Sequence, residues 1–260
     1  MSERKYGEST AVDLSEWGRP LARIFARFLK TKPVSVLQIT NLHLSLALFS
    51  AWLILQGEVI VACLLLIAKG VLDAVDGELA RLREKPSHVG RYWDTVADTI
   101  GLIAVMCSFA NLLGWSGLLT SAIILAILFQ YSLFNHYSIL LRARGSGDLT
   151  SRIDERIRPT AHPWEQQRNV NILHAIYVLC FSWQDSIIAG ITGKGSDKLV
   201  FELTASSSLG YGFQSLVIFS LALWQKIDYL PHLVLGVNSL LMLAVVVRSW
   251  FSTSPRIRSV

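Results

Sequence analysis

Long apolar stretches separated by short polar connectors dominate the pattern of residues along this chain. In its first half, each stretch is close to the ~20 residues that an α-helix needs to cross the hydrocarbon core of a bilayer. The connectors, such as Gln56-Gly57-Glu58, are too short to hold another element. We therefore predict four transmembrane helices here, at roughly 36–55, 59–80, 92–113 and 118–141.

The second half of the chain contains three further apolar runs, and they are not equivalent. Two of them, about 203–224 and 230–247, predict further crossings. Residues 171–192 are also apolar, but Gln184 and Asp185 lie within them, so we predict a membrane-associated or re-entrant helix there. The predicted fold is therefore all-α, a polytopic bundle of six transmembrane helices.

The segment before the first span predicts an amphipathic helix from about Asp13, which is able to cap it, to Leu29. Apolar side chains fall on one side of this helix: Trp17, Leu21, Ile24, Phe25 and Phe28. Basic side chains fall mostly on another: Arg19, Arg23, Arg27 and Lys30. Such a helix can lie in the membrane interface against anionic headgroups. An ordinary surface helix is the alternative.

Composition agrees with a membrane protein, since 52% of the 260 residues are hydrophobic and only 17% are charged. The length fits one membrane domain. We divide the chain into a cytoplasmic arm with the amphipathic helix (1–33), a membrane domain (34–250) and a cytoplasmic tail (251–260). The net charge of +5 comes from residues scattered among aromatic-rich membrane segments, so we expect no nucleic-acid partner.

Basic residues are unevenly distributed over the connectors. Seven Lys or Arg precede the first span, the connectors after the second and fourth spans are also basic, and the two between them carry none. Because cytoplasmic loops carry an excess of Lys and Arg, both termini are predicted to be cytoplasmic. With six crossings, Arg248, Arg256 and Arg258 fall on that same side. The membrane would be the plasma membrane, or the inner membrane in a prokaryote.

Four carboxylates interrupt the second and third spans near their cytoplasmic ends. On a helix, the first set of polar and small residues shares one face: Asp73, Asp76, Gly77 and Ala80. A second set recurs at four-residue spacing and shares a face of the next helix: Gly90, Asp94 and Asp98. The short link between the two helices favours an antiparallel pair, in which the two acidic faces meet.

A charged side chain at membrane depth costs about 2.5–3.5 kcal/mol on insertion scales, and four carboxylates also repel one another. Bound divalent metal explains such a cluster, because Mg²⁺ takes oxygen ligands and still binds substrate phosphates. A buried ion-pair network with Lys69 is the alternative. Gly77 and Ala80 leave room for a nucleotide or for close helix packing. Arg81 offers a planar fork for phosphate or an anchor at the interface.

The acidic span resembles the signature of the CDP-alcohol phosphatidyltransferase family, D-x2-D-G-x2-A-R-x8-G-x3-D-x3-D. Every fixed position is matched: Asp73, Asp76, Gly77, Ala80, Arg81, Gly90, Asp94 and Asp98. Eight fixed residues at fixed spacing are a strong signal. The resemblance implies a membrane enzyme that moves a substituted phosphate from a CDP-alcohol, with CDP-diacylglycerol favoured, to a hydroxyl acceptor. CMP would leave, and phospholipid biosynthesis would be the setting.

The resemblance also implies roles for these residues. Asp73, Asp76, Asp94 and Asp98 would surround a pair of Mg²⁺ or Mn²⁺ ions, with Asp98 as the general base. The nucleotide-binding residues would be Asp73, Asp76, Gly77, Ala80, Arg81 and Gly90. The implied partners are the CDP-linked donor, the acceptor, membrane lipids and a second copy of the chain in a homodimer.

The acceptor-binding residues are predicted on weaker grounds. Lys69, His136, Arg142 and Arg144 are the candidates, with His43, Asn135 and Tyr137 as further polar residues of the spans. Each also fits a satisfied bundle residue, an interface anchor or a solvated cytoplasmic face. A second functional hypothesis is a divalent-cation transporter that uses the acid cluster as its ion site. The Gly, Ala and Arg positions beside the acids favour the enzyme.

Overall fold

The computed structural model describes Tyr6 and residues 10–144, 156–192 and 199–252. These residues form helices and no strand. Residues 253–260 of the predicted tail, together with Arg4, Lys5 and Arg152, lie outside the described residues. The helices are α1 (Arg19–Leu29), α2 (Val36–Leu55), α3 (Val59–Leu82), α4 (His88–Leu113), α5 (Gly117–Arg144), α6 (Gln167–Thr192), α7 (Leu199–Ser206), α8 (Tyr211–Leu223) and α9 (Ser239–Ser252).

The all-helical prediction is confirmed, with six helical segments of the described chain long and apolar enough to span a membrane. They are α2, α4, α5, α6, the segment Leu199–Leu223 and the segment His232–Phe251. By composition alone α3 is not among them, because it carries the charged residues of the acid cluster. This set differs from the six predicted spans by exchanging α3 for α6, so contacts between helices have to decide between the two.

Contacts at its ends indicate that α6 does not cross the bundle. Before its first turn, Glu165 accepts hydrogen bonds from Ser87 and Val89 at the start of α4. At its other end, the hydroxyl of Thr192 lies 2.9 Å from Nε2 of His136 on α5, and the carbonyl of Thr192 accepts from Ser249 in the last turn of α9. His136 lies about two turns before the end of α5, and Ser249 lies in the last turn of α9. Both ends of α6 therefore contact the half of the bundle in which α4 begins and α5 and α9 end.

The helices α2, α3 and α4 form the tightest part of the bundle. Ser35 caps α2 by accepting from the backbone of Gln38, whose side chain accepts from Ser35 in return. Further along, a Cβ on Gly101 would lie only 2.8 Å from the Cβ of Ala47, so glycine allows α2 and α4 to cross closely. Helix α2 packs against both α3 and α4 and joins them into a three-helix unit, whereas α3 and α4 pack against each other less closely than the short link predicts.

Two apolar clusters fill the two ends of the bundle. The cluster farther from the acids packs α2, α3, α4, α5 and α8 together, around Ile54, Phe109, Ile123 and Leu230. The other joins α5, α6, α7 and α9 around Leu133, Tyr137 and Leu203. The acid cluster lies between α2, α3 and α4.

The predicted span 203–224 is not one continuous helix. After α7 the chain forms a 3₁₀ turn at Ser207–Leu209, and Gly210 is extended at φ −73° and ψ 155° before α8 begins. The N-terminal arm is the physical reason, because Ser15 packs so closely here that a Cβ on Gly210 would lie 2.5 Å from its Oγ. The sequence between 203 and 224 does not reveal a partner so distant along the chain.

The N-terminal segment also differs in detail from one continuous helix. Asp13 caps a short 3₁₀ turn at Leu14–Glu16 by accepting from Ser15, and α1 starts only at Arg19. The small residues Ala22 and Ala26 face α3, while Ile24 and Phe28 are exposed. An outward apolar face suits lipid contact, and the placement of α1 in the membrane interface stays a prediction.

Candidate active site

The hairpin of α3 and α4 brings three of the four predicted acids together. Carboxylate oxygens of Asp73, Asp76 and Asp94 and a ring nitrogen of His43 all lie within 4.8 Å of one another. The cause is the predicted one: i, i+3 spacing on α3 and the antiparallel return of α4 point both sets of carboxylates to the same place. Asp76 is almost fully buried, whereas Asp73 and Asp94 are partly open.

The sequence predicted His43 only as a further polar residue for the acceptor, but in the structure it belongs to the acid cluster. Its side chain is fully buried, with Nε2 3.1 Å from Asp94 Oδ1 and 3.6 Å from Asp76 Oδ2. One turn earlier on α2, Thr40 donates to Asp76 at 2.8 Å. A signal was available in the sequence, because polar and small residues recur on one face of an otherwise apolar span: Thr40, His43, Ala47 and Ser50.

Asp98, one turn further along α4, has a different environment from the other three acids. It pairs with the ammonium group of Lys69, which is buried on α3. That ammonium also lies 4.1 Å from the centre of the Tyr211 ring, a cation–π contact from α8. Nδ1 of His43 is 3.9 Å from the same carboxylate. The predicted general base is therefore held by a fixed cation, and the predicted acceptor residue Lys69 touches the acid cluster instead.

A cavity of about 400 Å³ connects the acids to the surrounding helices. Asp73, Asp76, Asp94 and Asp98 line one side of it. The N-terminal residues 15–19 line a second side, and α5, α6 and α8 complete it. The last three helices contribute polar groups to the wall: Ser132, Asn135, Tyr177, Gln184, Asp185 and Tyr211. The cavity is thus acidic at the hairpin and mainly hydroxyl- and amide-lined opposite.

Guanidinium groups surround one buried carboxylate at the rim of this cavity. Glu78 Oε1 lies 2.5 Å from Nε of Arg19, 3.2 Å from Nη2 of Arg81 and 3.6 Å from Nε of Arg23. Arg81 lies over Gly77, where a Cβ would be 3.3 Å from its Nη2. Arg19 lies outside the predicted spans. Its burial disfavours the charged form, but the carboxylates of Glu16 and Glu78 outweigh this effect and raise the pKa of Arg19.

The remaining predicted residues lie outside the cavity. Ala80 does not line it, and Gly90 is buried in the first turn of α4, where its backbone N–H donates to the capping Ser87. On the acceptor side, His136 bonds Thr192 and Arg142 is buried, with Nε donating to the carbonyl of Ser138. Nucleotide and acceptor roles for these residues, and for Arg144, stay predictions.

The donor set fits a divalent cation. Three carboxylates and one imidazole converge, and oxygen donors suit Mg²⁺ while an added imidazole is also accepted by Mn²⁺. Nδ1 of His43 is buried without a hydrogen-bond partner in the described part of the chain, so the ring is positioned by its contacts with the acids. The geometry is therefore compatible with metal at Asp73, Asp76 and Asp94.

Comparison with known proteins bears directly on this segment. The sequence model of the family described as CDP-alcohol phosphatidyltransferase matches residues 35–150. The match includes α2 to α5, and with them His43, Lys69 and every residue of the motif. The resemblance that the motif indicates is confirmed over residues 35–150. No curated protein sequence matches the chain.

Proposed function

We propose that this chain transfers a substituted phosphate from a CDP-alcohol to a hydroxyl acceptor and releases CMP. We favour CDP-diacylglycerol as the donor and phospholipid biosynthesis as the setting. The observation that carries the proposal is the convergence of the α3 and α4 carboxylates in one cavity, inside the segment that matches the family. Basic residues beside this end of the bundle support a cytoplasmic opening.

The reaction needs a proton acceptor at the hydroxyl. The acceptor oxygen bonds to the donor phosphorus that carries the alcohol, and the bond from that phosphorus to the oxygen bridging to CMP breaks, so CMP leaves with that oxygen. We assign the hydroxyl proton to Asp98, whose carboxylate lines the cavity and is held by Lys69. A positioned base of this kind contributes about 10²–10⁴-fold in rate.

Asp73, Asp76 and Asp94 would hold Mg²⁺ or Mn²⁺, with His43 as a further donor. The family resemblance implies a pair of ions, for which Asp98 would be a further ligand. When bound, such ions neutralise charge that develops on the transferring phosphate. Gly77 and Arg81 are proposed to contact the nucleotide part of the donor, since both line the cavity next to Asp76.

Two further expectations depend on the family. The alternative of a divalent-cation transporter loses support, because the segment that carries the acids matches a transferase family. A homodimer rests on the resemblance alone. The mass of active protein in mild detergent tests it, and a monomeric mass would contradict it.

A CMP-release assay tests the proposed function. CDP-diacylglycerol and other CDP-alcohols would each be offered with a panel of hydroxyl acceptors, with Mg²⁺ or Mn²⁺ and then with excess chelator. We expect metal-dependent CMP release that requires an acceptor. Full turnover in chelator would contradict the metal site, and no CMP release with any donor would contradict the function.

Three carboxylate variants sharpen the test. Asp98→Asn should lower turnover at least about 100-fold and leave CDP binding largely intact, because an amide fills the space but takes no proton. Asp76→Asn should weaken metal-dependent CDP binding, because it removes charge from the ion site. Asp228→Asn is the matched control, since this exposed carboxylate lies in the turn after α8, outside the cavity. Near-normal turnover of Asp98→Asn would show that the base is a different group.

A further inference from the structure

The N-terminal arm forms a wall of the cavity and is fixed to α8. We define the strap as residues 12–18. The backbone N–H of Gly212 donates to Ser15 Oγ at 2.9 Å, and the indole N–H of Trp17 donates to the carbonyl of Gly212 at the same distance. The backbone N–H of Leu14 donates to Ser207 Oγ at 3.0 Å. The strap therefore has a defined position over the space between α3 and α8.

A glycine at position 212 is required for this arrangement. A Cβ there would lie 1.9 Å from the carbonyl oxygen of Ser15, which is backbone and cannot move aside alone. On the other side, a Cβ on Gly18 would lie 3.1 Å from a methyl of Val71 on α3. Close backbone approach at both ends therefore sets where the next residue, Arg19, enters the site.

The Arg19 guanidinium lines the cavity and has more N–H donors than its two carboxylate partners use. Its Nε pairs with Glu78 Oε1 and its Nη1 with Glu16 Oε2, at 2.5 and 2.7 Å. A guanidinium carries five N–H groups, so three remain without a partner among the described residues. Its side chain is only 12% exposed, and the residue lines the same cavity as Arg81 and the acid cluster.

The charge balance at this rim is positive. Arg19, Arg23 and Arg81 face Glu78, and Glu16 adds a second carboxylate, so cations outnumber anions among these five side chains. The hairpin acids opposite are negative and repel a diphosphate wherever cations do not neutralise them. A planar guanidinium recognises phosphate with two parallel hydrogen bonds, which makes the rim the natural contact for the donor's phosphates.

We infer that Arg19, carried by the strap, is a second guanidinium of the donor's diphosphate site beside Arg81. The inference rests on the proposed function and names a residue outside the matched family segment. Arg19 binds the diphosphate and Glu78 orients both guanidinium groups toward it. The competing explanation is that Arg19 only docks α1 on α3 through Glu78.

Nucleotide binding separates the two explanations. CDP and CMP binding would be measured by calorimetry with Mg²⁺ present, on the full chain in detergent, for Arg19→Gln, Arg19→Lys and the unaltered chain. Arg27→Gln is the matched control, because it removes the same charge from the exposed side of the same helix. Thermal unfolding of each variant would be recorded alongside.

We expect Arg19→Gln to lose roughly ten- to hundredfold in CDP affinity, the size of a hydrogen bond to a charged group. CMP affinity should fall by about threefold or less, and Arg19→Lys should recover part of the CDP affinity. Arg27→Gln should match the unaltered chain. Equal losses for CDP and CMP, unchanged CDP affinity, or an equal loss in Arg27→Gln would each overturn the inference. An unaltered chain that binds neither nucleotide would overturn the proposed function and the inference with it.

Discussion

Lys69 is the buried cation that the proposed chemistry depends on most directly. Its side chain is 2% exposed, and a buried ammonium is tolerated only when it is paired. Asp98 provides the pair, and the Tyr211 ring covers another side of the ammonium. The Asp98 carboxylate is thereby held in one orientation where it lines the cavity. Lys69 is best described as a positioning residue for the base.

We expect Lys69→Met to lower kcat by about 10- to 100-fold, because a small displacement of a reacting group has effects of this size. KM for the donor should change little, since the rim arginines and the other three acids are intact. The measurement is CMP release across donor concentrations, with a thermal unfolding curve to confirm folding. Lys226→Met, at an exposed lysine beyond α8, is the control. Unchanged kcat in a folded Lys69→Met protein would exclude the positioning role.

The sequence was sufficient to predict that the acids lie together. It was not sufficient to predict that His43 joins their cluster. Helical spacing places Asp73 and Asp76 on one face of α3, and the short link returns Asp94 on α4 to the same end of the bundle. The contribution of His43 depends instead on the angle and register at which α2 crosses α4, which Ala47 and Gly101 determine. The polar stripe on α2 marks a buried face, but it does not say what that face meets.

At the scale of elements, loop residues fix where the helices around the site start and stop. Arg83, after α3, donates to the carbonyls of Leu29, Lys32 and Val34 at 2.6 to 2.9 Å. Carbonyls at a helix C-terminus have no partner within the helix, so this guanidinium caps α1 from outside. The α1 helix is therefore attached at both ends, by Arg19 to Glu78 and by the carbonyl of Leu29 to Arg83.

Glu165 has the corresponding role at the start of α4 and α6. Its Oε1 accepts from the Ser87 hydroxyl at 2.7 Å and the Val89 backbone at 2.9 Å, and its Oε2 accepts from His162 at 3.2 Å. Partial burial opposes the charge, but these donors outweigh it and lower the pKa of Glu165 below its ordinary value. The carboxylate is therefore stabilised in the folded state, a contribution that is present above about pH 4.3 and is lost as pH falls through the lowered value.

We expect Glu165→Gln to lower the melting temperature at pH 7 by roughly 2–4 °C, corresponding to about 1 kcal/mol for a half-exposed hydrogen-bonded carboxylate. The difference from the unaltered chain should shrink as pH falls below about 4, where Glu165 itself becomes neutral. Melting curves in detergent across this pH range are the measurement. Glu84→Gln, an exposed acid in the connector before α4, is the control. A difference that grows toward acid would contradict the assignment.

The elements themselves were largely predictable and their interruptions were not. Apolar length and charged connectors place α2 to α5 within a few residues, because lipid solvation acts on each helix separately. The break between α7 and α8 arises from contact with the strap, nearly two hundred residues earlier in the chain. Local hydropathy carries no information about such a contact.

At the scale of the whole molecule, the placement of α6 decides the number of crossings. With 26 residues it is about 39 Å long and is apolar enough to span. Its two ends nevertheless contact the start of α4, His136 in the C-terminal half of α5 and the last turn of α9, which belong to one half of the bundle. Helix α6 covers the cavity through Tyr177, Phe181 and Asp185. We therefore predict that it does not cross the membrane. The six predicted crossings are then α2, α3, α4, α5, the segment of α7 and α8, and α9.

Cysteine labelling in sealed membrane vesicles tests this topology. The native thiols Cys63, Cys107 and Cys180 would first be replaced, and single cysteines placed at Gln166 and Gly190 at the two ends of α6. Both positions are exposed, and a Cβ at Gly190 meets nothing within 4 Å. Glu58→Cys and Lys226→Cys report the opposite end of the bundle, since they lie in the connectors after α2 and α8.

We expect a membrane-impermeant reagent to reach positions 166 and 190 from the same face, and positions 58 and 226 only from the other. All four should label after detergent solubilisation, which controls for local burial. The physical reason is the charge bias of the connectors. Six crossings return Arg248 to the side of the basic connectors, whereas a seventh crossing by α6 would place Arg248 on the opposite side. Labelling of 166 and 190 from opposite faces would mean that α6 crosses. The hydrogen bonds of Thr192 with His136 and Ser249 would then join groups on opposite sides of the bilayer. That result would therefore also contradict the packing of α6 against α5 and α9.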